Sequence, residues 1–172
     1  DESIFDVIAA GVGRFLDAEP PAQDWVLENC MINGKVGLLV APGGTGKSQL
    51  TMQIAYDISS GRHCYSPWKP GRVGKVLVLS AEDEDDELHR RFRRLAADDM
   101  GNADSAALMH LLRENLLIVP RVGEDNLMTK ERDREVEITP FVDRLIKTAA
   151  PIDVLRLIII DPVSRFHGGE EN

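Results

Sequence analysis

The chain reads as an α/β domain, a mostly parallel sheet with helices on both faces. Three observations predict it. Short apolar runs at Val36–Val40, Val76–Leu79 and Leu157–Ile160 lack the polar alternation of a sheet with one wet face. Segments with helical spacing alternate with these runs along the chain. A glycine-rich turn, residues 41–46, joins the first run to a helix-forming stretch.

The first 23 residues are expected to be a helical segment and linker, with the main domain covering 24–172. Residues 3–18 carry Ile4, Phe5, Val7, Ile8, Val12, Phe15 and Leu16 at spacings compatible with a helix, although Gly11 and Gly13 weaken it. Asp17 to Pro21 stops it. Val36–Val40 is the first predicted strand, and Lys47–Ser60 the helix after it, closed by Gly61 in a C-terminal capping position. The prolines and glycines of 62–74 predict a loop, and Lys75–Ser80 the next strand. Asp83–Ala97 reads as a helix whose acidic start suits the positive end of the helix dipole. A helix over Ser105–Arg113 and a strand over Asn115–Val119 follow. Residues 120–135 are polar, charged and loop-like. Thr139 starts a helix with Pro140 at its first position, running to about Ala149. Arg156–Asp161 is the last predicted strand.

Composition sets outer bounds. A hydrophobic fraction of 43% excludes a wholly disordered chain. Twenty Lys and Arg against 29 Asp and Glu give a formal net charge of −9, a poor field for non-specific DNA binding, though local patches can still bind. Cys30 and Cys64 are too few for a disulfide scaffold, and they match no zinc spacing, so both read as reduced thiols. No apolar run approaches the roughly 18 residues of a membrane span, and no basic-then-apolar leader opens the chain. A cytoplasmic location with no membrane partner is the expectation.

The sharpest signal is Ala41-Pro42-Gly43-Gly44-Thr45-Gly46-Lys47-Ser48, a phosphate-binding loop with Ala in place of the first Gly. Glycines let backbone N–H groups curl around phosphate oxygens, and the helix that follows offers unpaired N–H groups and a positive dipole end. Lys47 is placed to neutralise the β- and γ-phosphates, and Ser48 to offer its hydroxyl to Mg²⁺. The candidate nucleotide-binding set is Pro42, Gly43, Gly44, Thr45, Gly46, Lys47, Ser48 and Gln49, and the implied cofactors are ATP and Mg²⁺. The competing reading is a glycine-rich turn with a chance Lys-Ser; the strand before and the helix after argue against it.

Two further acids stand at strand ends. Asp161 closes Leu157–Ile160, where a phosphate-loop fold holds its Mg²⁺, usually through water. Glu82 follows Val76–Ser80 and could orient or deprotonate an attacking water. Glu82 could equally begin the next helix, as Asp83 to Glu87 are expected to do.

At these three places, Gly37–Ser48, Leu79–Asp83 and Ile159–His167, the chain resembles the RecA-type ATPases of plasmid and phage replication, AAA-like P-loop proteins, and among them the hexameric replicative helicases of the RepA family. The similarity runs from about Asp24 to the last residue, and the Arg165-Phe166-His167-x-x-Glu170-Glu171-Asn172 ending is more specific than the phosphate loop. The resemblance implies an ATP-hydrolysing, Mg²⁺-dependent helicase motor acting on single-stranded DNA as a homo-hexamer. It implies catalytic roles for Glu82 and Lys47, metal roles for Ser48 and Asp161, and coupling roles for Arg165 and His167. In such sheets the strand after the Asp161 strand lies between it and the phosphate-loop strand. This sequence ends before that strand, the later histidine-rich motif and the arginine finger. It is therefore expected to be the N-terminal part of a motor domain, truncated after the Asp161 strand, and inactive or very slow alone.

Other readings stay open. A RecA-like recombinase or regulatory ATPase would hydrolyse ATP without separating strands. A phosphotransferase would need a lid, for which the 120–135 loop is the one candidate. A non-hydrolysing scaffold would bind ATP regardless of Glu82. Leu88-His89-Arg90-Arg91-Phe92-Arg93-Arg94-Leu95 could track a phosphate backbone. At helical spacing, however, Leu88, Phe92 and Leu95 form a buried stripe, and the arginines pair with Glu84, Asp86 and Glu87. Trp25 and Trp68 could stack on a base, but such aromatics are more often partly buried anchors.

Overall fold

A computed structural model describes residues 7, 10–100, 105–132 and 135–168. In chain order the elements are helix α1 (Gly13–Leu16), strands β1 (Trp25–Leu27) and β2 (Met31–Ile32), helix α2 (Lys47–Ser60), strand β3 (Lys75–Ser80), helices α3 (Asp85–Leu95), α4 (Ala97–Met100) and α5 (Ser105–Asn115), strands β4 (Leu116–Pro120), β5 (Thr129–Arg132) and β6 (Glu135–Ile138), helix α6 (Pro140–Ala149), strand β7 (Leu155–Asp161), a 3-10 turn (Val163–Phe166) and strand β8 (His167–Gly168).

The centre is a parallel sheet in the order β4-β3-β7. Its strands are short, apolar and covered on both sides, as their unbroken hydrophobic runs require. Val76 and Val78 point to one face, where they pack with Ile54, Ala55 and Ile58 of α2. Leu77 and Leu79 point to the other and pack with Phe141 of α6 and Phe166. The period-2 alternation of β3 thus fills two cores with one strand. Leu88 and Leu95 of α3 and Leu108 and Leu112 of α5 form a third cluster with Met52 and Tyr56 of α2. The expected α/β class, parallel sheet and placement of helices on both faces all stand.

The β1–β2 hairpin is tied to the sheet by Arg156 of β7. Its guanidinium donates to both oxygens of Asp24 at 2.8 and 3.1 Å and to the Trp25 carbonyl at 2.9 Å. These bonds, the hydrogen bond first, hold the Asp24 carboxyl below its ordinary value. Gly71 is demanded here by close approach, because a Cβ would lie 2.1 Å from the Trp25 carbonyl oxygen. Trp68 packs against the first core as an anchor.

Four sequence expectations are corrected. Val36–Val40 is not a strand: it has no ladder partner among the described residues, and Val36, Leu38 and Val40 are 101%, 71% and 78% exposed. β3 is already flanked by β4 and β7, and among the described residues no strand pairs the outer edge of β7. An apolar run becomes a strand only where a neighbouring strand can take its N–H and C=O groups. Residues 120–135 are not simply a loop, since β5 and β6 form an antiparallel hairpin there. The helix expected over 83–97 starts at Asp85 and ends at Leu95, with the short α4 after it. The N-terminal helix expected over 3–18 is present among the described residues as the single turn Gly13–Leu16; residues 1–6, 8 and 9 lie outside them. The segment 169–172, with Glu170, Glu171 and Asn172, also lies outside.

Candidate functional site: a phosphate loop beside two strand-end acids

The loop Ala41–Gly46 leads directly into α2. Gly44 and Gly46 have φ of 75° and 88°, in the left-handed region that favours glycine. Gly46 is the N-cap of α2, and its carbonyl accepts from Leu50 N–H at 2.9 Å. Around Gly43, Gly44 and Gly46 there is open space where a Cβ would stand. Their requirement is therefore conformational, together with room for a ligand to approach the backbone. The Thr45 hydroxyl donates to the Pro42 carbonyl at 2.8 Å, closing the loop on itself. Pro42 to Gly46 and Gln49 are exposed, while Lys47 and Ser48 are half-buried at the head of the helix.

Lys47 sits inside this loop. Its Nζ donates to the carbonyls of Ala41 at 2.7 Å and Pro42 at 3.0 Å. An ammonium carries three donors, so one remains to be given. The charge is thus fixed at the loop's centre, beside the positive end of a 14-residue helix. The Ser48 hydroxyl has no hydrogen-bond partner among the described residues.

The two acids come to the same end of the sheet. Ser80 of β3 is in register with Asp161 of β7, and Ala81 N–H donates to the Asp161 carbonyl at 2.9 Å. Glu82 is the next residue. Asp161 is joined to α2 by a side-chain bond, Thr51 Oγ1 to Asp161 Oδ2 at 3.2 Å, and the same Thr51 hydroxyl lies 3.0 Å from the Ser48 carbonyl. Phosphate loop and strand-end carboxylate are therefore neighbours through one threonine.

The donors around Ser48 and Asp161 are hydroxyl and carboxylate oxygens, the hard set that suits Mg²⁺. Among the described residues no three or more His, Cys, Asp and Glu gather as a metal cage. Mg²⁺ characteristically takes one or two carboxylates and completes its shell with phosphate and water. The residues fit that ion.

Glu82 is exposed and faces an open cleft of about 540 Å³, shared with Gly123, Glu124, Asn126 and Arg165. Neither the Glu82 nor the Arg165 side chain has a hydrogen-bond or ion-pair partner among the described residues. The cleft wall is built by the turn after β4. Arg121 N–H donates to the Ser80 carbonyl at 2.6 Å, Arg121 Nε to Asn126 Oδ1 at 2.8 Å, and Asn126 Nδ2 back to the Arg121 carbonyl at 2.7 Å. Lys47 and Ser48 do not line this cleft. The structure thus brings the phosphate loop to Asp161, and Glu82 to Arg165. Its link from Glu82 to the loop runs through Asp161.

His167 is turned elsewhere. Its Nδ1 lies 2.6 Å from Thr129 Oγ1, and β8 pairs with β5, so it fastens the segment after Asp161 to the hairpin. The residues missed in the sequence are Thr51, Arg121 and Asn126. Thr51 carried a weak signal, being one helical turn beyond Ser48 and on its side of the helix. Arg121 and Asn126 carried none, because their reciprocal bonding depends on the conformation of the turn.

Two of the four arginines of α3 follow the structural reading. Arg91 pairs with Asp83 at 2.8 Å and Glu87 at 3.0 Å, and Arg90 with Glu87 at 2.9 Å. The acids used are Asp83 and Glu87, where Glu84, Asp86 and Glu87 were expected. Both cysteines are free and exposed. No helix among the described residues is long and apolar enough to cross a membrane.

A protein-family model described as an AAA domain matches residues 6–172. That is almost the whole chain, and the chain belongs to this family of P-loop ATPases.

Proposed function

We propose that this AAA-domain chain is the ATP-binding and ATP-hydrolysing motor part of a hexameric replicative DNA helicase of the RepA type, Mg²⁺-dependent and acting on single-stranded DNA. The observation that carries the ATPase core of the reading is the junction of the phosphate loop with Asp161 through Thr51, with Glu82 two residues beyond the register partner of that acid. The helicase, hexamer and DNA parts rest on the resemblance of Gly37–Ser48, Leu79–Asp83 and Ile159–His167 to the RepA-like proteins.

Each residue has a definite task under this reading. Backbone N–H groups of Gly43 to Ser48 receive the phosphate oxygens, with Pro42, Thr45 and Gln49 shaping the rim. Lys47 gives its remaining donor to the β- and γ-phosphates. Ser48 and Asp161 hold Mg²⁺, which supplies charge neutralisation on the transferring phosphate. Glu82 takes a proton from the attacking water as its oxygen bonds to the γ-phosphorus and the bond to the ADP oxygen breaks. Arg165, in the same cleft as Glu82, is placed to respond to charge there.

The test is ATP hydrolysis with and without single-stranded DNA, beside the Glu82→Gln variant and with nucleotide binding followed separately. DNA-stimulated hydrolysis that drops on the order of 10²-fold or more in the variant, with binding kept, is expected. Hydrolysis indifferent to DNA would favour a regulatory or recombinase-type ATPase. Binding without turnover, unaffected by Glu82→Gln, would make the chain a nucleotide-binding scaffold.

A further inference from the structure

Thr51 stands where two acceptors compete for one proton. Its hydroxyl lies 3.0 Å from the Ser48 carbonyl and 3.2 Å from Asp161 Oδ2. A threonine inside a helix ordinarily bonds back to a carbonyl three or four residues earlier, and that bond has no function beyond the helix itself. The second acceptor is a carboxylate 110 residues away in sequence, and a bond to a charged acceptor is the stronger of the two. No other side chain among the described residues bonds the Asp161 carboxylate. The other ties of this strand end are backbone ones, such as Ala81 N–H to the Asp161 carbonyl. These fix the main chain and leave the orientation of the carboxylate to Thr51.

We infer that Thr51 is a positioning residue for Asp161: its hydroxyl holds Oδ2 against α2 and leaves the other carboxylate oxygen for the Mg²⁺ that accompanies the nucleotide. The inference rests on the proposed Mg²⁺–ATP reading of the site. Carboxylates that serve metals are themselves steadied by such outer hydrogen bonds, and loss of one typically weakens metal binding about 10–100-fold.

The experiment is a Mg²⁺ titration of fluorescent ATP-analogue binding to the full chain, with no turnover required. Wild type, Thr51→Val and Thr51→Ser are compared, and thermal unfolding checks that each is folded. Thr51→Val is expected to raise the Mg²⁺ concentration for half-saturation about tenfold, with metal-free nucleotide binding unchanged. Thr51→Ser is expected to behave as wild type, because the hydroxyl is restored. If Thr51→Val does not fold, Thr51→Ala carries the same expectation.

A Thr51→Val titration that overlays wild type would overturn the inference. So would an equal loss of binding with and without Mg²⁺, since Thr51 would then be supporting the loop and not the carboxylate. Tighter Mg²⁺ binding in the variant would also overturn it, by making the hydroxyl a competitor of the metal. Wild-type protein that binds no nucleotide, or binds it indifferently to Mg²⁺, would remove the functional reading itself and this inference with it.

Discussion

Asp99 is buried, and three donors from two other segments converge on it. The Tyr56 hydroxyl donates to its Oδ2 at 2.5 Å, the Tyr65 hydroxyl to the same oxygen at 3.2 Å, and Arg62 Nη1 to Oδ1 at 2.8 Å. The two tyrosine rings meet edge to face with centroids 5.0 Å apart. Burial first, and then the bond to Asp99, push the Tyr56 phenol well up; burial first also pushes Tyr65 up to about 12. The sequence has just these two tyrosines, so phenolate absorbance reports on this cluster alone. A phenol whose pKa rises on folding stabilises the fold below its unfolded value of about 10, and that stabilisation is lost as pH climbs through and beyond it. The folded chain is expected to show no phenolate near pH 10, where urea-unfolded chain titrates. Asp99→Asn should move ionisation of the folded protein toward ordinary values. Phenolate appearing near pH 10 in folded wild type would contradict the cluster as described. Nearby, Asp57 is fully buried on α2 and accepts from the N–H groups of Cys64, Tyr65 and Ser66. It orders the turn that follows the phosphate-loop helix, with no cation among the described residues at its side chain.

At the scale of elements, the β5–β6 hairpin shows how a strand pair escapes a reading of hydrophobicity. Most of its exposed residues are charged, all four of β6 are exposed, Val136 and Ile138 included, and the ladder is made by backbone groups. Composition alone makes such a stretch look like a loop. What fixes it is its surroundings: Met128 N–H donates to the Phe166 carbonyl at 2.8 Å, β8 pairs with β5, and Thr139 ends the hairpin and begins α6. Thr139 has two tasks, its hydroxyl accepting from Phe141 N–H at 3.2 Å and donating to the Leu127 carbonyl. Its capping role was legible, because Thr followed by Pro and an amphipathic stretch is a helix start. Its bond to Leu127 was not, since that partner is 12 residues upstream and is brought near by the hairpin. Thr139→Ala should lower stability by about 1 kcal/mol, read as a shift in urea midpoint at unchanged slope. A shift as small as that of an exposed control substitution would show that the cap contributes nothing.

For the whole molecule, the contrast between Leu38 and Leu79 is decisive. Both are leucines in apolar runs that read as buried strands. Leu79 is 5% exposed in the central strand, packed with Phe141 and Phe166, whereas Leu38 is 71% exposed. Leu79→Ala is expected to cost about 2–5 kcal/mol through lost burial and the cavity left behind. Leu38→Ala should stay within about 0.5 kcal/mol, as for an unpacked surface position. Chemical denaturation of the two variants checks this. A core-sized loss at Leu38 would mean that Val36–Val40 packs as the strand its sequence suggests.

Much of the site was legible in one dimension. The residue types at 41–48 state a phosphate loop because φ-permissive glycines, a lysine and a hydroxyl at that spacing meet a local chemical need. Glu82 and Asp161 were legible as candidates because each closes an apolar strand, and strand ends are where such sheets present side chains. The fold class, the Gly61 cap and the alternation of β3 were likewise local, set by backbone preference and by the period of buried residues. The tertiary structure alone decided which strands became neighbours, and hence that Asp161 stands beside Ser80, that Thr51 reaches Asp161, that His167 turns to Thr129, and that Val36–Val40 has no ladder partner among the described residues. Hydrogen-bond partners far apart in sequence are chosen by packing and register, and neither is written in the composition of the segments they join.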